Sequence, residues 1–180
     1  MKRVINVFIS AGLIALFIYV ADHTSRRPNL RATTVMADES QTKAAPQFEL
    51  DTLDGRTVRL SDFRGKAVVL NFWATFCSPC KIETPWLAEL YSNYKGQGLE
   101  IIGVSLDDGG RKTIEQFVKK MKVNYPVVIG NHFVADNYGG VRFIPQTFFI
   151  DRRGNIVNHT LGLGTKSDLE NEIKQLLAIE

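Results

Sequence analysis

Between Ala67 and Leu87 the chain changes its period, and its only two cysteines stand at the change. Ala67 to Trp73 is almost continuously apolar, the pattern of a central strand covered on both faces. Beyond Cys77-Ser78-Pro79-Cys80 the spacing becomes helical. Counting from Cys80, the residues at +3, +7, +10, +11 and +14 are Glu83, Leu87, Leu90, Tyr91 and Tyr94. A buried strand that runs directly into a helix requires a helix packed back onto a sheet.

The rest of the chain repeats this alternation. Phe48-Glu49-Leu50 and Thr57-Val58-Arg59-Leu60 flank Asp54-Gly55, a hairpin signal. Ser61-Asp62-Phe63 starts a short turn that Gly65 closes. The helix after the cysteines is expected to reach about Lys95 and stop at Gly96 and Gly98, with a kink at Pro85. Leu99 to Leu106 reads as a second buried strand ending in Asp107-Asp108-Gly109-Gly110. Ile114, Phe117, Val118 and Met121 mark a helix, Tyr125 to Ile129 a short strand, and Phe133 to Tyr138 a helical turn. Gln146 to Asp151 and Asn155 to Leu161 form a hairpin around Arg153-Gly154. A last helix, with Ser167 placed to cap it, buries Leu169, Ile173, Leu176 and Leu177. The fold class is therefore α/β, a mixed β-sheet flanked by helices, with an N-terminal β-hairpin and a central αβ insertion.

Two cysteines separated by two residues can bind metal, attach haem, staple a turn or exchange disulfides. Haem attachment needs His after the second cysteine, and position 81 is Lys. Structural zinc needs four ligands, and His23, His132 and His159 are scattered. A staple closing so short a loop contributes little through chain entropy. Redox exchange fits best. Cys77 at the helix N-terminus has the dipole and free N–H groups to stabilise a thiolate, and Pro79 suits the first turn. Cys77 is expected to be exposed and to attack, and Cys80 to be buried and to resolve. Glu83 falls on the buried helix face one turn from Cys80. A carboxylate there must be paired or neutral, and it is placed to exchange a proton with Cys80.

Phe72-Trp73-Ala74, Cys77-x-Pro-Cys80-Lys81 and Pro85 resemble the active-site stretch of thioredoxin. The extra segment near residues 111–130 is similar to that of membrane-tethered bacterial thiol–disulfide oxidoreductases of the TlpA/ResA/CcmG type, a likeness covering Pro46 to Glu180. The resemblance implies a thioredoxin fold, no cofactor and no metal. It implies that Pro145 in Phe143-Ile144-Pro145-Gln146-Thr147 is the cis-proline facing the disulfide. Ile144, Pro145 and Trp73 are the implied substrate-binding residues, and Glu83 the family's buried glutamate. The implied partners are a disulfide-containing exported protein, such as apocytochrome c, and an integral membrane thiol protein as electron donor. Three positions depart from thioredoxin: Asn71 replaces a buried Asp, Phe76 stands where Trp is common, and Ser78-Pro79 contains no histidine. An amide cannot take up a proton at neutral pH, so the acid–base role moves to Glu83. A reductant or moderate exchanger is expected rather than a strong oxidant.

Charge separates the chain into regions. The overall net charge is +3, but residues 46–180 carry 16 basic and 16 acidic residues, and the excess lies before them. A neutral folded part offers no nucleic-acid argument. Lys2-Arg3 precede Val4 to Ala21, 18 residues without a charge. As a helix they would span roughly 27 Å, close to a bilayer's hydrocarbon thickness. Residues 1–21 are read as an uncleaved signal-anchor. The alternatives are a cleaved signal peptide, for which Tyr19 fits badly at −3 from a cut after Ala21 and Val35-Met36-Ala37 fits better but lies far downstream, and a buried soluble helix. Residues 22–45 are polar without a period and read as a flexible linker, leaving 46–180 as the thioredoxin-like domain. Flanking basic residues on both sides leave the orientation open. The chemistry places the domain outside the cytoplasm, on a single-pass anchor in a bacterial cell membrane.

Two rival functions use the same cysteines. Two thiols suit Cu(I), with His132 or His159 as a third ligand for a copper-handling assembly protein. The other rival is a thiol peroxidase. Gly162-Leu163-Gly164-Thr165-Lys166-Ser167 matches neither phosphate-binding fingerprint and reads as a turn with a helix cap.

Overall fold

A computed structural model describes residues 43–179. The anchor expected over residues 1–21 and the linker up to residue 42 lie outside the described residues. No helix among the described residues is long and apolar enough to cross a membrane.

Among the described residues, eight strands and four α-helices follow the expected alternation. The chain enters through β1 (Lys43–Ala44), β2 (Glu49–Asp51) and β3 (Thr57–Arg59), then a 3-10 turn at Leu60–Phe63. The centre is β4 (Ala67–Trp73), α1 (Ser78–Tyr94), β5 (Leu99–Ser105), α2 (Arg111–Met121), β6 (Val127–Ile129) and α3 (His132–Asn137). The chain closes with β7 (Gln146–Ile150), β8 (Asn155–Leu161) and α4 (Lys166–Ala178). Six strands form one mixed sheet in the order β1-β8-β7-β4-β5-β6. β4, β5 and β6 run parallel, and β7 pairs antiparallel with β4. β2 and β3 pair in a separate ribbon, with Thr52 bridging to Val128.

The apolar run does what its composition demands. Every residue of β4 and β5 is buried. Alternation along β4 sends Ala67, Val69 and Trp73 into a core with Leu87, Leu90, Phe117, Leu169 and Ile173. It sends Val68, Leu70 and Phe72 to the other face, against Phe48, Leu50, Leu60, Val134 and Tyr138. Asn71 shares the parity of Val69 and Trp73, so its amide points toward the α1 side.

Several boundaries differ from expectation for local reasons. Lys43 and Ala44, read as linker, pair with Ile156 and Asn155, and Ala45 is buried. β6 starts at Val127 because Pro126 has no N–H for the ladder; its carbonyl instead accepts from Gly103 N at 2.9 Å. Thr165, not Ser167, caps α4. Its hydroxyl accepts from Asp168 N at 3.1 Å while the Asp168 carboxylate accepts from Thr165 N at 3.2 Å, a reciprocal capping box. α1 passes through Pro85 as one unbroken helix, with the proline on the exposed side.

Candidate active site

The cysteines sit where β4 hands over to α1. Cys77 is the N-cap of α1, and its Sγ accepts from Cys80 N at 3.2 Å. Cys77 and Cys80 are joined in a disulfide. Once that bond is reduced, the sulfur of Cys77 stays at the positive end of the helix, which favours the thiolate.

The two sulfurs are not equally accessible. Cys77 is 7% exposed and Cys80 1%. The expected order holds, but Cys77 is far less open than the sequence suggests. The cause is the loop before β7. Cys77 Sγ lies 3.6 Å from the carbonyl oxygen of Ile144, and the Ile144–Pro145 bond is cis. Pro145 in turn accepts from Gly162 N at 2.8 Å, which draws the β8–α4 turn alongside.

Around this covered sulfur the surface is apolar. Phe76 and Phe143 are each 70% exposed, and Leu161 and Leu163 are exposed beside Gly162. Three loops that meet at Cys77, Pro145 and Gly162 thus present large hydrophobic side chains to solvent. In isolation such residues are unremarkable; clustered at a reactive group they mark a contact surface.

The loop carrying Cys77 is held from below by Asp107. Thr75 N donates to both Asp107 carboxylate oxygens at 3.0 and 2.9 Å, and Ser105 Oγ donates to Oδ2 at 2.7 Å. The Thr75 hydroxyl also donates to Oδ1. Sequence reading left Asp107 in a plain loop. A signal was available: an Asp just past a buried strand, beside the matching turn of its parallel neighbour.

Glu83 is 5% exposed, on the buried face of α1 as its spacing requires. Burial pushes its carboxyl up to about 7, while the hydrogen bond from Asn71 works in the other direction. Asn71 Nδ2 donates to Glu83 Oε2 at 2.8 Å and to Thr147 Oγ1 at 2.8 Å. Position 71, read as a lost acid, therefore remains part of the site as the partner of the acid that replaces it. Thr147 was not singled out in the sequence.

Trp73 does not face a substrate. It is 2% exposed and stacks on Phe117 at 4.7 Å between ring centroids. The alternation of β4 turns it inward, so it supports the floor beneath the cysteine loop. His159 stacks on Phe148 at 5.5 Å, and no group of three His, Cys, Asp or Glu able to hold an ion occurs among the described residues.

An α/β domain with a disulfide at a strand–helix junction, facing a cis-proline loop and backed by a buried carboxylic acid, defines a thioredoxin-like thiol–disulfide oxidoreductase. Residues 42–159 match the AhpC/TSA family, and the chain belongs to that family. It is 39% identical over 132 residues to the thiol-disulfide oxidoreductase ResA of Geobacillus thermodenitrificans, covering 73% of this chain and 75% of that one. It is 35% identical over 178 residues to ResA of Bacillus subtilis, covering 97% of each chain. Among solved structures, a thiol:disulfide interchange protein DsbE from Chlorobium tepidum superposes with a TM-score of 0.71 at 31% identity, covering 76% of this chain and 97% of that one.

Proposed function

We propose that this oxidoreductase works outside the cytoplasm, tethered by its N-terminal segment, and reduces disulfides in exported proteins, the cysteines of apocytochrome c being the leading example. In the reduced enzyme the Cys77 thiolate attacks one sulfur of the substrate disulfide and expels the other as a thiolate. Cys80 then attacks Cys77 Sγ, closing the enzyme disulfide and releasing the second substrate sulfur. Two electrons pass from the dithiol to the substrate. Glu83, as carboxylate, takes the Cys80 proton and makes the resolving thiolate. An integral membrane thiol protein restores the dithiol.

One observation carries the choice of a protein substrate: the apolar rim of Phe76, Phe143, Leu161 and Leu163 around Cys77, the less buried of the two cysteines. A small polar disulfide needs no such surface, whereas an extended polypeptide covers it. The 18 uncharged residues from Val4 to Ala21, together with a match to ResA of Bacillus subtilis covering 97% of the chain, support the tether. Copper handling gains no support among the described residues, where neither His132 nor His159 forms a group of three candidate ligands with the cysteines.

The test is capture in the living cell. Cys80→Ser leaves Cys77 able to attack but removes resolution, so the mixed disulfide accumulates. The expected captive is an exported protein with a cysteine pair, and labelling of Cys77 by a membrane-impermeant thiol reagent is expected in intact cells. Recovery of cytoplasmic proteins alone, or protection of Cys77 from the reagent until the cells are lysed, refutes the reading. Peroxide turnover that depends on Cys77 would favour the peroxidase alternative.

A further inference from the structure

Asn71 and Thr147 are direct cross-strand partners in the β4–β7 ladder. Side chains of such a pair emerge on the same face about 5 Å apart. Here that face is the one covered by α1, so the pair lies under Glu83. Asn71 is 1% exposed, as is Thr147. The Asn71 amide group uses both of its N–H bonds: one goes to Thr147 Oγ1 and the other to Glu83 Oε2, each at 2.8 Å. Among the described residues Asn71 is the only hydrogen-bond donor to Glu83.

An oxygen that accepts a hydrogen bond from an amide is the poorer place for an acid proton. A proton on Oε2 would face the Asn71 N–H directly. A proton on Oε1 leaves the bond intact in both ionisation states. We propose that Asn71 is a positioning residue: by donating to Oε2 of Glu83 it reserves Oε1 as the oxygen that takes and returns the Cys80 proton. Thr147 acts behind it, because it fixes the rotation of the Asn71 amide. The inference rests on the proton-transfer role proposed above for Glu83.

The surroundings leave this assignment to Asn71. Glu83 lines a crevice with Trp86, Thr160, Thr165 and, from α4, Asp168 and Glu172. Asp168 is engaged by Thr165, and Glu172 accepts from Asn158 Nδ2 at 2.7 Å. Tyr125, on the segment before β6, is held neutral by burial and by the charge of Glu83. Lys81, on the same helix, is exposed. Among the described residues no lysine, arginine or histidine lines the crevice, so none of them competes with the amide for the carboxylate.

The measurement is the pH dependence of resolution: the rate at which Cys80 releases a thiol linked to Cys77, followed in the full-length protein. Glu83→Gln is expected to remove the inflection belonging to the acid. Asn71→Leu, similar in volume and unable to donate, is expected to raise that inflection by about one pH unit, since the charged form loses its hydrogen bond. Thr147→Val is expected to move it in the same direction and Thr147→Ser to leave it in place. In the Glu83→Gln background Asn71→Leu is expected to add nothing. In infrared spectra at acid pH, the carboxyl C=O stretch of Glu83 is expected to move to higher frequency in Asn71→Leu, because Oε2 no longer accepts. If Asn71→Leu does not fold, Thr147→Val carries both measurements. An inflection and a C=O band that stay in place in these variants, while Glu83→Gln flattens the profile, overturn the assignment and leave the role of Glu83 intact. A profile unchanged by Glu83→Gln overturns both.

Discussion

The sulfur of Cys77 and the carbonyl oxygen of Ile144 lie 3.6 Å apart, although 67 residues separate them in the chain. The two sit on neighbouring strand ends, because β4 and β7 are paired from Val68 to Phe72. The sheet therefore fixes how far the cis-proline loop overhangs the disulfide. A partner sulfur must reach Cys77 past this loop while Cys80 stays covered beneath.

This difference in access predicts different outcomes for the two cysteines. Cys77→Ser is expected to abolish disulfide reduction and form no adduct. Cys80→Ser is expected to abolish turnover while still forming one stable mixed disulfide per chain. Mass spectrometry after incubation with a disulfide substrate reads both. Equal adduct formation by the two variants would contradict the assigned order.

The apolar rim predicts a split between substrates. Phe143→Ser and Phe76→Ser remove exposed rings, so neither should disturb the core. Each is expected to raise KM for a protein disulfide about tenfold, the effect of losing roughly 1.4 kcal/mol of apolar contact. kcat/KM for a small polar disulfide is expected to stay within about twofold. Equal losses on both substrates would mean that the rings shape the disulfide rather than receive a partner.

Much of this was legible in the residues. The almost continuous apolar run of Ala67 to Trp73 fitted a strand covered on both faces, and it is one. Glu83 fell on the buried face by helical spacing alone. What escaped was pairing across the sheet. Asn71 looked like a subtraction, an acid replaced by an amide. Its donation to Glu83 depends on the parity of β4 and on the register that brings Thr147 beside it, which one-dimensional periodicity does not contain. Trp73 shows the same limit: the resemblance implied a substrate contact, while the parity of β4 turns the ring inward. Asp107 was hidden by its Gly-rich surroundings, which read as a loop whatever the carboxylate binds.

Asp107 in turn predicts a stability effect concentrated at the active site. Its carboxylate collects the Thr75 N–H and the hydroxyls of Thr75 and Ser105. Asp107→Ala leaves these donors without their acceptor and is expected to cost about 2–3 kcal/mol by denaturant unfolding. Because Thr75 is two residues before Cys77, faster hydrogen exchange is expected at the turn between β4 and α1, with β7 and β8 unchanged. A uniform increase across the sheet would show that Asp107 supports the fold at large rather than this turn.

Glu83 predicts how the stability of the oxidised protein depends on pH. In the folded chain burial raises its carboxyl to about 7, against 4.5 as the ordinary value. Between these two values the unfolded chain has lost the proton and the folded chain still holds it. The folded state thus binds more protons, and stability falls as pH rises through this window, levelling off above about 7. Below about 4.5 both states are protonated and the contribution is fully present. The total change is on the order of 3 kcal/mol. Glu83→Gln keeps the size and the acceptor for Asn71 but cannot ionise, so its unfolding free energy is expected to lack this decline. The variant should therefore gain on the parent steadily from about pH 4.5 to 7. Denaturant melts of both oxidised proteins across that range check it. Parallel curves would mean that Glu83 titrates alike in the folded and unfolded chains, and a carboxylate with so ordinary an affinity for a proton would be too weak a base to take one from Cys80 at neutral pH.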